Sequence, residues 1–214
     1  MTVPDGYHAA RLPDDRRRRV VWQALWQYYF SALIDPGACV LDLGAGYGDF
    51  INAVVARRRV AIDAWPGFVR HLTPGIESQV GPVTDLSMLA DASVDFALAS
   101  NLVEHLTRAD FAAMLIALRP KLAPGGTLTL LQPNYRYAYR EYFDDFDHKS
   151  VFSHISLPDY LSSQGWEVLT VEPRFMPLTV KGALPVHPLL IRLWLASPWK
   201  PIGKQMLVRA RLRQ

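Results

Sequence analysis

The sequence has almost no cysteine: Cys39 is the one thiol among 214 residues. A lone thiol cannot form an internal disulfide, and it excludes an iron–sulfur cluster, which needs several thiolates. Long apolar runs are also missing, because no stretch approaches the roughly 20 residues that span a bilayer. Met1 to Asp15 carry Pro, Asp and Gly where a secretory signal has an apolar core. We therefore expect a cytoplasmic protein.

The sequence also has little net charge, with a formal value of +3 that does not by itself indicate a nucleic-acid partner. Two arginine runs stand out at residues 16–19 and 57–59, and neither is interleaved with the aromatics on which bases stack. This favours a solvated helix start and a solvated helix end over a footprint for nucleic acid or acidic lipid. The ordinary share of hydrophobic and charged residues predicts one globular domain over residues 1–214.

Strand and helix signals alternate after Pro36-Gly37, which is the pattern of a parallel sheet with helices on both faces. Strands are expected at residues 39–43, 60–63, 79–83, 95–100, 127–131, 166–172 and 205–211. Helices are expected from a cap at Asp14 or Asp15 to about Ile34, at 50–57, from a Thr107 cap to about Leu118, and at 158–164. The sequence thus predicts a doubly wound α/β fold.

A glycine-rich turn joins the first strand to the next helix, with Gly44, Gly46 and Gly48 in the run from Val40. A dinucleotide fingerprint needs a third glycine where Asp49 stands, and a carboxylate would repel a pyrophosphate. The turn also lacks the Lys-Ser/Thr pair of a phosphate-binding loop. A zwitterionic or cationic ligand therefore fits this turn better than a phosphate does.

Three acids follow three successive strands. Asp42, at the end of the first strand, suits an ammonium or a sulfonium-bearing ligand. Asp63 ends the second strand, where an acid binds the two ribose hydroxyls of an adenosine. Asp85 follows the third strand and is placed to accept a hydrogen bond from an adenine amino group. The alternative is that these are ordinary turn or surface acids.

From Cys39 to Leu131 the sequence resembles the class I methyltransferases that use S-adenosylmethionine (SAM). The pieces that resemble theirs, in order, are Asp42 to Gly48, Asp63, Val83-Thr84-Asp85-Leu86, Ser93 to Leu98, Asn101-Leu102-Val103-Glu104-His105-Leu106, and Leu122 to Leu128. The resemblance implies SAM as cofactor, S-adenosylhomocysteine (SAH) as product, and a Rossmann-like sheet of seven strands, mostly parallel with the last antiparallel. It also implies cofactor contacts from Asp42, Gly44, Ala45, Gly46, Tyr47, Asp63, Ala64, Asp85, Leu86 and Asn101.

On this interpretation residues 1–36 form a helical cap, 37–133 the cofactor-binding core and 134–214 a substrate-side half. Residues 134–156 are aromatic and acidic, and 173–203 are rich in Pro, Leu and Trp. Neither stretch continues the alternation, and both lie where a cover over the substrate is expected. The apolar part at 188–200 contains Arg192 and Lys200, so it suits either such a cover or a weak membrane-surface helix.

The resemblance implies in-line methyl transfer, and an oxygen acceptor also needs a base, for which histidine is the usual residue. His105 is the first candidate, with packing or helix capping by Glu104 and His105 as the rival role. His148 and His154 are further candidates, close to Asp144, Asp145 and Asp147. That group has no recognisable metal spacing, and a solvated acidic loop is favoured, so we assign no metal ligands.

The expected class of acceptor depends on one motif that the sequence lacks and on a second family resemblance. The segment after the fourth strand lacks the Asp/Asn-Pro-Pro-Tyr/Phe signature of enzymes that methylate base amino groups or glutamine amides, so nucleic acid is not expected. Phe146 to Ser150, Gly165 to Val168 and Lys204 to Val208 resemble bacterial methyltransferases of polysaccharide or lipid-linked glycan assembly. We therefore expect O-methylation of a small-molecule or glycan acceptor. The alternative is a non-catalytic module of a larger complex, and homo-oligomerisation stays open.

Overall fold

The computed structural model describes residues 15–177 and 186–213. Its centre is a sheet of seven strands in the order β3-β2-β1-β4-β5-β7-β6. The strands are β1 (Cys39–Leu43), β2 (Arg58–Asp63), β3 (Glu77–Val80), β4 (Val94–Ser100), β5 (Leu122–Pro133), β6 (Trp166–Pro177) and β7 (Gly203–Leu212). β1 to β5 pair in parallel, whereas β7 runs antiparallel to both of its neighbours. The predicted doubly wound, mostly parallel sheet with a reversed last strand is confirmed.

The helices are α1 (Arg16–Tyr28), α2 (Asp49–Ala53), α3 (Arg108–Leu118), α4 (Tyr135–Ala138), α5 (Ser156–Ser163) and α6 (Pro188–Ala196). Asp15 caps α1 by accepting the Arg17 amide at 2.8 Å, as predicted; Asp14 lies outside the described residues. The expected extension of α1 to Ile34 is wrong, since Tyr29 leaves helical geometry and only a 3₁₀ turn, Phe30–Ala32, follows. Thr107 caps α3 as predicted, in a reciprocal capping box with Asp110.

The second arginine run is not the end of a helix, so that prediction is wrong. α2 ends at Ala53 because Val54 turns to extended backbone, and β2 begins at Arg58. Arg58 makes two hydrogen bonds to Glu77 on the neighbouring strand, at 2.9 and 2.8 Å. The third strand lies earlier than expected and ends at Val80, because Gly81 and Pro82 follow and Pro has no amide hydrogen for the ladder.

Two hydrophobic cores cover the two faces of the sheet. One is formed mainly by α3, α5 and the chain between β3 and β4. The other is formed by α1, α2 and α6 against β1, β4 and β7. The carboxyl ends of β1, β2 and β4 meet at one edge, since Leu43 pairs with Ile62 and with Ala99. Polar groups that follow these three strands are therefore brought to one place.

α6 packs against α1 rather than standing apart. Ile191 is buried, the Trp194 indole donates to the Phe175 carbonyl at 2.7 Å, and the Arg192 guanidinium lies 5.7 Å from the Tyr28 ring centroid. Its outer side exposes apolar residues, namely Leu189, Leu190 and Leu193. Within the described ranges, no helix is both long and apolar enough to cross a bilayer.

Candidate functional site

The turn between β1 and α2 depends on three glycines. Gly44, Gly46 and Gly48 have φ of 72°, 54° and 67°, a region that other residues adopt only at a cost. The amides of Gly44 and Ala45 donate to the Ile62 carbonyl at 2.8 and 3.2 Å, which fixes the turn to the end of β2. The turn therefore presents backbone without side chains, as close approach by a ligand requires.

Asp63 ties β2 to this turn. One carboxylate oxygen accepts the Gly46 amide at 2.7 Å, and the other accepts the Trp65 amide at 2.8 Å. The side chain is 7% exposed, and Ala64 beside it is half-buried. An ionised carboxylate has about four lone-pair sites, so Asp63 can still accept hydrogen bonds from two hydroxyls.

The charges around Asp42 favour a cation. Asp42 is buried, and its pKa is raised to about 8, first by desolvation and then by the nearby charges of Asp63 and Asp49. Arg18 of α1 forms a partly buried ion pair with Asp49, so the expectation that the first arginine run is solvated is wrong for Arg18. Three buried acids thus converge on the turn, and a positively charged ligand beside Asp42 offsets their mutual repulsion.

Tyr47 lies on the side of the turn that faces α1. Its ring centroid is 5.1 Å from that of Trp65 and 4.7 Å from that of His71, and the Arg18 guanidinium lies 4.8 Å from it. A cavity of about 280 Å³ opens beside this aromatic group; its lining residues are Arg19, Gln23, Tyr47, Asp49, Asn52, Ala53, His71 and Thr73. Tyr47 therefore covers one side of the turn and also lines this cavity.

The remaining cofactor candidates lie in two different settings. Asp85 is exposed and accepts the Ser87 amide at 3.1 Å. Hydrogen bonding to the Ser87 side chain, followed by this amide bond, lowers the pKa of Asp85, and Leu86 beside it is buried. Asn101 directly follows β4 with φ of 49°, a strained value for a residue that is not glycine. Its side-chain oxygen accepts the Gln205 amide group at 2.9 Å, so β7 helps to hold that conformation.

A second group of side chains lies just beyond Asn101. Glu104 and His105 are in a 3₁₀ turn, Val103–His105, and one potential ligand atom from each of Glu104, His105 and His148 lies within 4.8 Å of the others. We call these three residues the β4-edge cluster. The centroids of the two imidazoles are 4.9 Å apart. Capping of α3 is done by Thr107 and Asp110, so it is not the role of Glu104 or His105.

Burial dominates the electrostatics of the cluster. Glu104 is 1% exposed, and desolvation, followed by the charge of Asp145, raises its pKa to about 8. Desolvation and the neighbouring His148 lower the pKa of His105. The His105 Nδ1 lies 3.3 Å from the Asp147 carbonyl oxygen. Because a carbonyl only accepts, Nδ1 carries the hydrogen in that bond and Nε2 keeps its lone pair.

The structure does not bring His154 into the cluster. Its Nδ1 lies 2.9 Å from the Asn134 side-chain nitrogen, and its ring stacks on Tyr137 at 5.5 Å between centroids. Of the acids in the neighbouring segment, Asp147 contacts the cluster directly, since it lies against both His105 and Lys149. The aromatic and acidic segment therefore contributes one of its two histidines to the cluster.

Sequence reasoning missed the importance of Glu104. The available signal was an acid inside the apolar run Leu102-Val103-Glu104-His105-Leu106, which predicts burial. Its position beside His148 could not be read, because that contact depends on how residues 144–150 fold back over the end of β4. The Leu102 side chain links the cluster to the glycine turn, since a Cβ on Gly44 would lie 2.9 Å from one of its methyl carbons.

The family model described as "methyltransferase domain" matches residues 15–171 of the chain. No curated protein matches the sequence. The match covers the α1 cap, the glycine turn, Asp63 and the β4-edge cluster, and it ends within β6.

Solved structures of similar fold cover nearly the whole chain. A chain in the complex of the Haloferax volcanii Trm112 methyltransferase activator with a methyltransferase is 19% identical, with TM-score 0.70, and the alignment covers 98% of this chain and 97% of that one. A SAM-dependent methyltransferase from Archaeoglobus fulgidus is 19% identical, with TM-score 0.66 and coverage of 96% and 97%. A DhpI–SAH complex is 16% identical, with TM-score 0.57 and coverage of 92% and 96%. At these identities the similarity establishes the fold.

Proposed function

Because the chain belongs to the methyltransferase domain family and is a SAM-dependent class I methyltransferase, we propose that it methylates a hydroxyl oxygen of a small-molecule or glycan acceptor. The observation that carries this proposal is the β4-edge cluster, which places two imidazoles and a carboxylate beside the glycine turn. A hydroxyl must lose its proton when it accepts a methyl group, so an oxygen acceptor needs basic groups at this position.

The residues of the turn fit SAM. Backbone of Gly44, Ala45 and Gly46 forms the surface for the methionine part, and Asp63 accepts from the ribose hydroxyls. Asp42 faces the positive charge of the ligand, which carries both an ammonium and a sulfonium. Tyr47, Ala64 and Asn101 complete the lining, and Asp85 and Leu86 supply the adenine edge. When bound, SAM supplies an electrophilic methyl group.

The chain's own residues orient the acceptor and remove its proton. Leu102 connects the turn to the cluster, so an acceptor at the cluster lies next to the cofactor site. The lone pair of His105 Nε2 is kept available by the Nδ1 hydrogen bond to Asp147. We assign removal of the hydroxyl proton to the β4-edge cluster as a unit, and much of the rate enhancement to holding the acceptor at attack distance. His154 stands outside this assignment.

Aromatic side chains near the cluster support a ring-bearing acceptor. The Tyr142 ring lies 4.6 Å from that of His148 and 5.2 Å from that of Tyr135. Pockets for small organic ligands are lined mostly by apolar and aromatic side chains with a few polar groups, and the segment after β5 has that composition. The resemblance of residues 146–150 and 204–208 to glycan-type enzymes favours a sugar hydroxyl.

The cofactor assignment is tested by calorimetric titration of SAM and SAH into the native protein, Asp63→Ala and Asp91→Ala. Asp91 is an exposed acid paired with Lys121 and serves as the matched control. We expect micromolar affinity for the native protein and the control, and a loss of about 100-fold in Asp63→Ala, as removal of two charge-assisted hydrogen bonds implies. Equal affinity of all three proteins contradicts the assignment of Asp63.

The acceptor assignment is tested by turnover. Sugars, phenols and amines are incubated with protein and SAM carrying a carbon-13 methyl group, and the chemical shift of the product methyl identifies its bonded atom. We expect O-methyl products and none from amines. Methylation at nitrogen contradicts the oxygen assignment. SAM binding without turnover of any acceptor favours the second candidate, a non-catalytic module with a protein partner; the activator bound in the Haloferax volcanii complex supports the protein partner but not the loss of catalysis.

A further inference from the structure

We propose that Glu104, His105 and His148 bind a divalent transition-metal ion, with coordination positions left open toward the acceptor. The claim that open positions face the acceptor rests on the proposed function, because it assumes an oxygen acceptor at the β4-edge cluster. The claim that the three residues bind an ion depends on the geometry alone. Nothing in the sequence motifs led to this site, which combines a residue pair after β4 with a histidine from the segment after β5.

The three side chains already lie close to a coordinating arrangement. One ligand atom from each residue lies within 4.8 Å of the other two. A metal ion about 2.1 Å from each ligand atom holds neighbouring ligands roughly 3.4 Å apart. Closing the cluster on an ion therefore requires movements of about 1 Å, which side-chain rotation can supply.

Glu104 provides an independent observation. Its carboxylate is 1% exposed, and Oε2 has no hydrogen-bonding partner among the residues that the structure describes. A buried carboxylate oxygen without a partner is costly, and coordination of a cation is one of the few ways to satisfy it. The nearby amides of Lys149 and Ser150 do not serve this purpose, because both donate to the backbone carbonyl of Glu104.

His105 has the hydrogen-bonding pattern of a metal ligand. Histidines that bind metals usually donate the other ring N–H to a carbonyl or carboxylate, which fixes the tautomer and the ring orientation. The His105 Nδ1 lies 3.3 Å from the Asp147 carbonyl oxygen and 3.6 Å from its carboxylate. Nε2 is thereby kept as the electron-pair donor. The ring of His148 is held between His105 and Tyr142, at 4.9 and 4.6 Å between centroids.

The cluster is supported by hydrogen bonds that need no ion. The amides of Lys149 and Ser150 donate to the Glu104 carbonyl at 2.7 and 3.1 Å. The Ser150 hydroxyl donates to the Leu106 carbonyl at 2.5 Å, and the Tyr142 hydroxyl donates to the Ser150 carbonyl at 2.5 Å. The segment that carries His148 is therefore attached directly to the turn that carries Glu104. Such a supporting shell keeps the ligands in place between binding events.

The donor set indicates the class of ion. Two imidazoles with one carboxylate suit Zn²⁺ and its neighbours in the Mn²⁺ to Zn²⁺ series, whereas Mg²⁺ prefers oxygen ligands throughout. Three protein ligands are the pattern of catalytic rather than structural metal sites, which keep a position for water or substrate. An acceptor oxygen at that position becomes more acidic. With an ion bound, the lone pair of His105 Nε2 would be used in coordination, so the acceptor proton would leave to solvent rather than to the imidazole, while the O–C bond forms and the C–S bond of SAM breaks to give SAH.

The test uses full-length protein without a histidine tag, stripped with a chelator and titrated with Zn²⁺ or Mn²⁺ in the absence of SAM and acceptor. We expect one Zn²⁺ per chain, weaker Mn²⁺ binding at the same site, and a loss of about 30-fold or more in Glu104→Gln and in His148→Gln. His154→Gln is the matched control, and its Zn²⁺ affinity should equal that of the native protein. Circular dichroism of the metal-free variants checks that they are folded.

Open coordination positions are tested separately through water-proton relaxation by bound Mn²⁺, which rises when exchangeable water occupies the metal. Absence of Zn²⁺ binding, or binding that Glu104→Gln and His148→Gln leave unchanged, overturns the site. Binding without relaxation enhancement overturns the open positions. Because neither measurement uses turnover, a protein that binds Zn²⁺ through the cluster but methylates only amines contradicts the proposed function alone, while O-methylation that survives chelation contradicts the metal role alone.

Discussion

The two sites on the edge of the sheet are built in different ways. The proposed cofactor site is local, with Asp63 and Gly46 only 17 positions apart and joined by a direct hydrogen bond. The β4-edge cluster joins distant parts of the chain, and the contact between His105 and Asp147 spans 42 positions. The first site concentrates negative charge that a cationic ligand offsets, whereas the second holds basic nitrogens beside one buried acid. Under the proposed function, a short motif therefore fixes cofactor binding, while the chemistry at the acceptor depends on the tertiary fold.

The largest expected effect concerns the charge balance of the cofactor site. Arg18→Ala removes the cation paired with Asp49, whose side chain is 8% exposed. Leaving such a charge unpaired should lower the free energy of unfolding by about 3 kcal/mol. Arg17→Ala, one position away, removes an exposed contact with Asp15 and should cost less than about 0.5 kcal/mol. Urea unfolding at neutral pH measures both variants, and equal losses would show that the site is not organised around buried charge.

A second prediction uses the pH dependence of Asp42. Its pKa is about 8 in the folded protein, against an ordinary value of 3.8 for an aspartate carboxyl in an unfolded chain, so between these pH values the folded state binds more protons than the unfolded state. The stability contributed by this group is therefore full below about pH 4 and is lost as the pH rises toward 8. Asp42→Asn removes that loss, and its stability advantage over the native protein should grow by about 1.4 kcal/mol per pH unit, or about 2 kcal/mol from pH 5 to pH 6.5.

The same substitution should weaken SAM binding by roughly tenfold or more, because a cationic ligand loses its carboxylate. Stability and affinity thus change in opposite directions at this position. Unfolding curves in the absence of ligand measure the expected change in stability, and calorimetry with SAM independently measures the expected change in affinity. A stability difference that stays constant with pH would mean that Asp42 is ionised in the folded protein.

A third prediction separates the acceptor side from the cofactor side. Tyr142→Phe removes the buried hydrogen bond to the Ser150 carbonyl and leaves that oxygen unsatisfied. We expect a loss of about 1 kcal/mol in stability and weaker Zn²⁺ binding, with SAM affinity unchanged. The result that SAM affinity falls together with Zn²⁺ affinity would contradict the independence of the two sites.

The smallest effect is expected on the outer side of α6. Leu193 is 66% exposed and Ile191 is 7% exposed, so Leu193→Glu should change stability by less than about 0.5 kcal/mol, while Ile191→Val should cost about 1 kcal/mol. Since α6 packs on α1, we expect the protein to stay in the supernatant when sedimented with acidic lipid vesicles. Vesicle binding that Leu193→Glu abolishes would instead support the membrane-surface interpretation.

The elements that sequence patterns predicted well are those that local physics determines. The first strand has the predicted bounds because five consecutive residues, four of them apolar, lie between Pro36-Gly37 and the glycine turn, and all five are buried. The start of α3 was found because Thr107 and Asp110 form a capping box within four residues. The prediction that the seventh strand is reversed depends on family resemblance alone, since no local sequence pattern indicates that this strand pairs antiparallel with β5 and β6.

The parts that were wrong or missed depend on long-range contacts. Arg58 belongs to β2 because Glu77 on the neighbouring strand pairs with it, and Arg18 is partly buried because Asp49 lies opposite. Both interactions override the tendency of an arginine run to remain solvated. Glu104 was assigned no functional role because its relation to His148 arises only when the segment after β5 folds back over β4.

β7 lies between β5 and β6 in the sheet, although the chain is synthesised in the order β5, β6, β7. β6 has no other strand beside it in the described sheet, so it is joined to the sheet only after β7 has been made. Gln205 of β7 also holds Asn101 in its strained conformation at the end of β4. During translation, the five parallel strands and all three residues of the β4-edge cluster are therefore made before β7 can hold Asn101 and join β6 to the sheet.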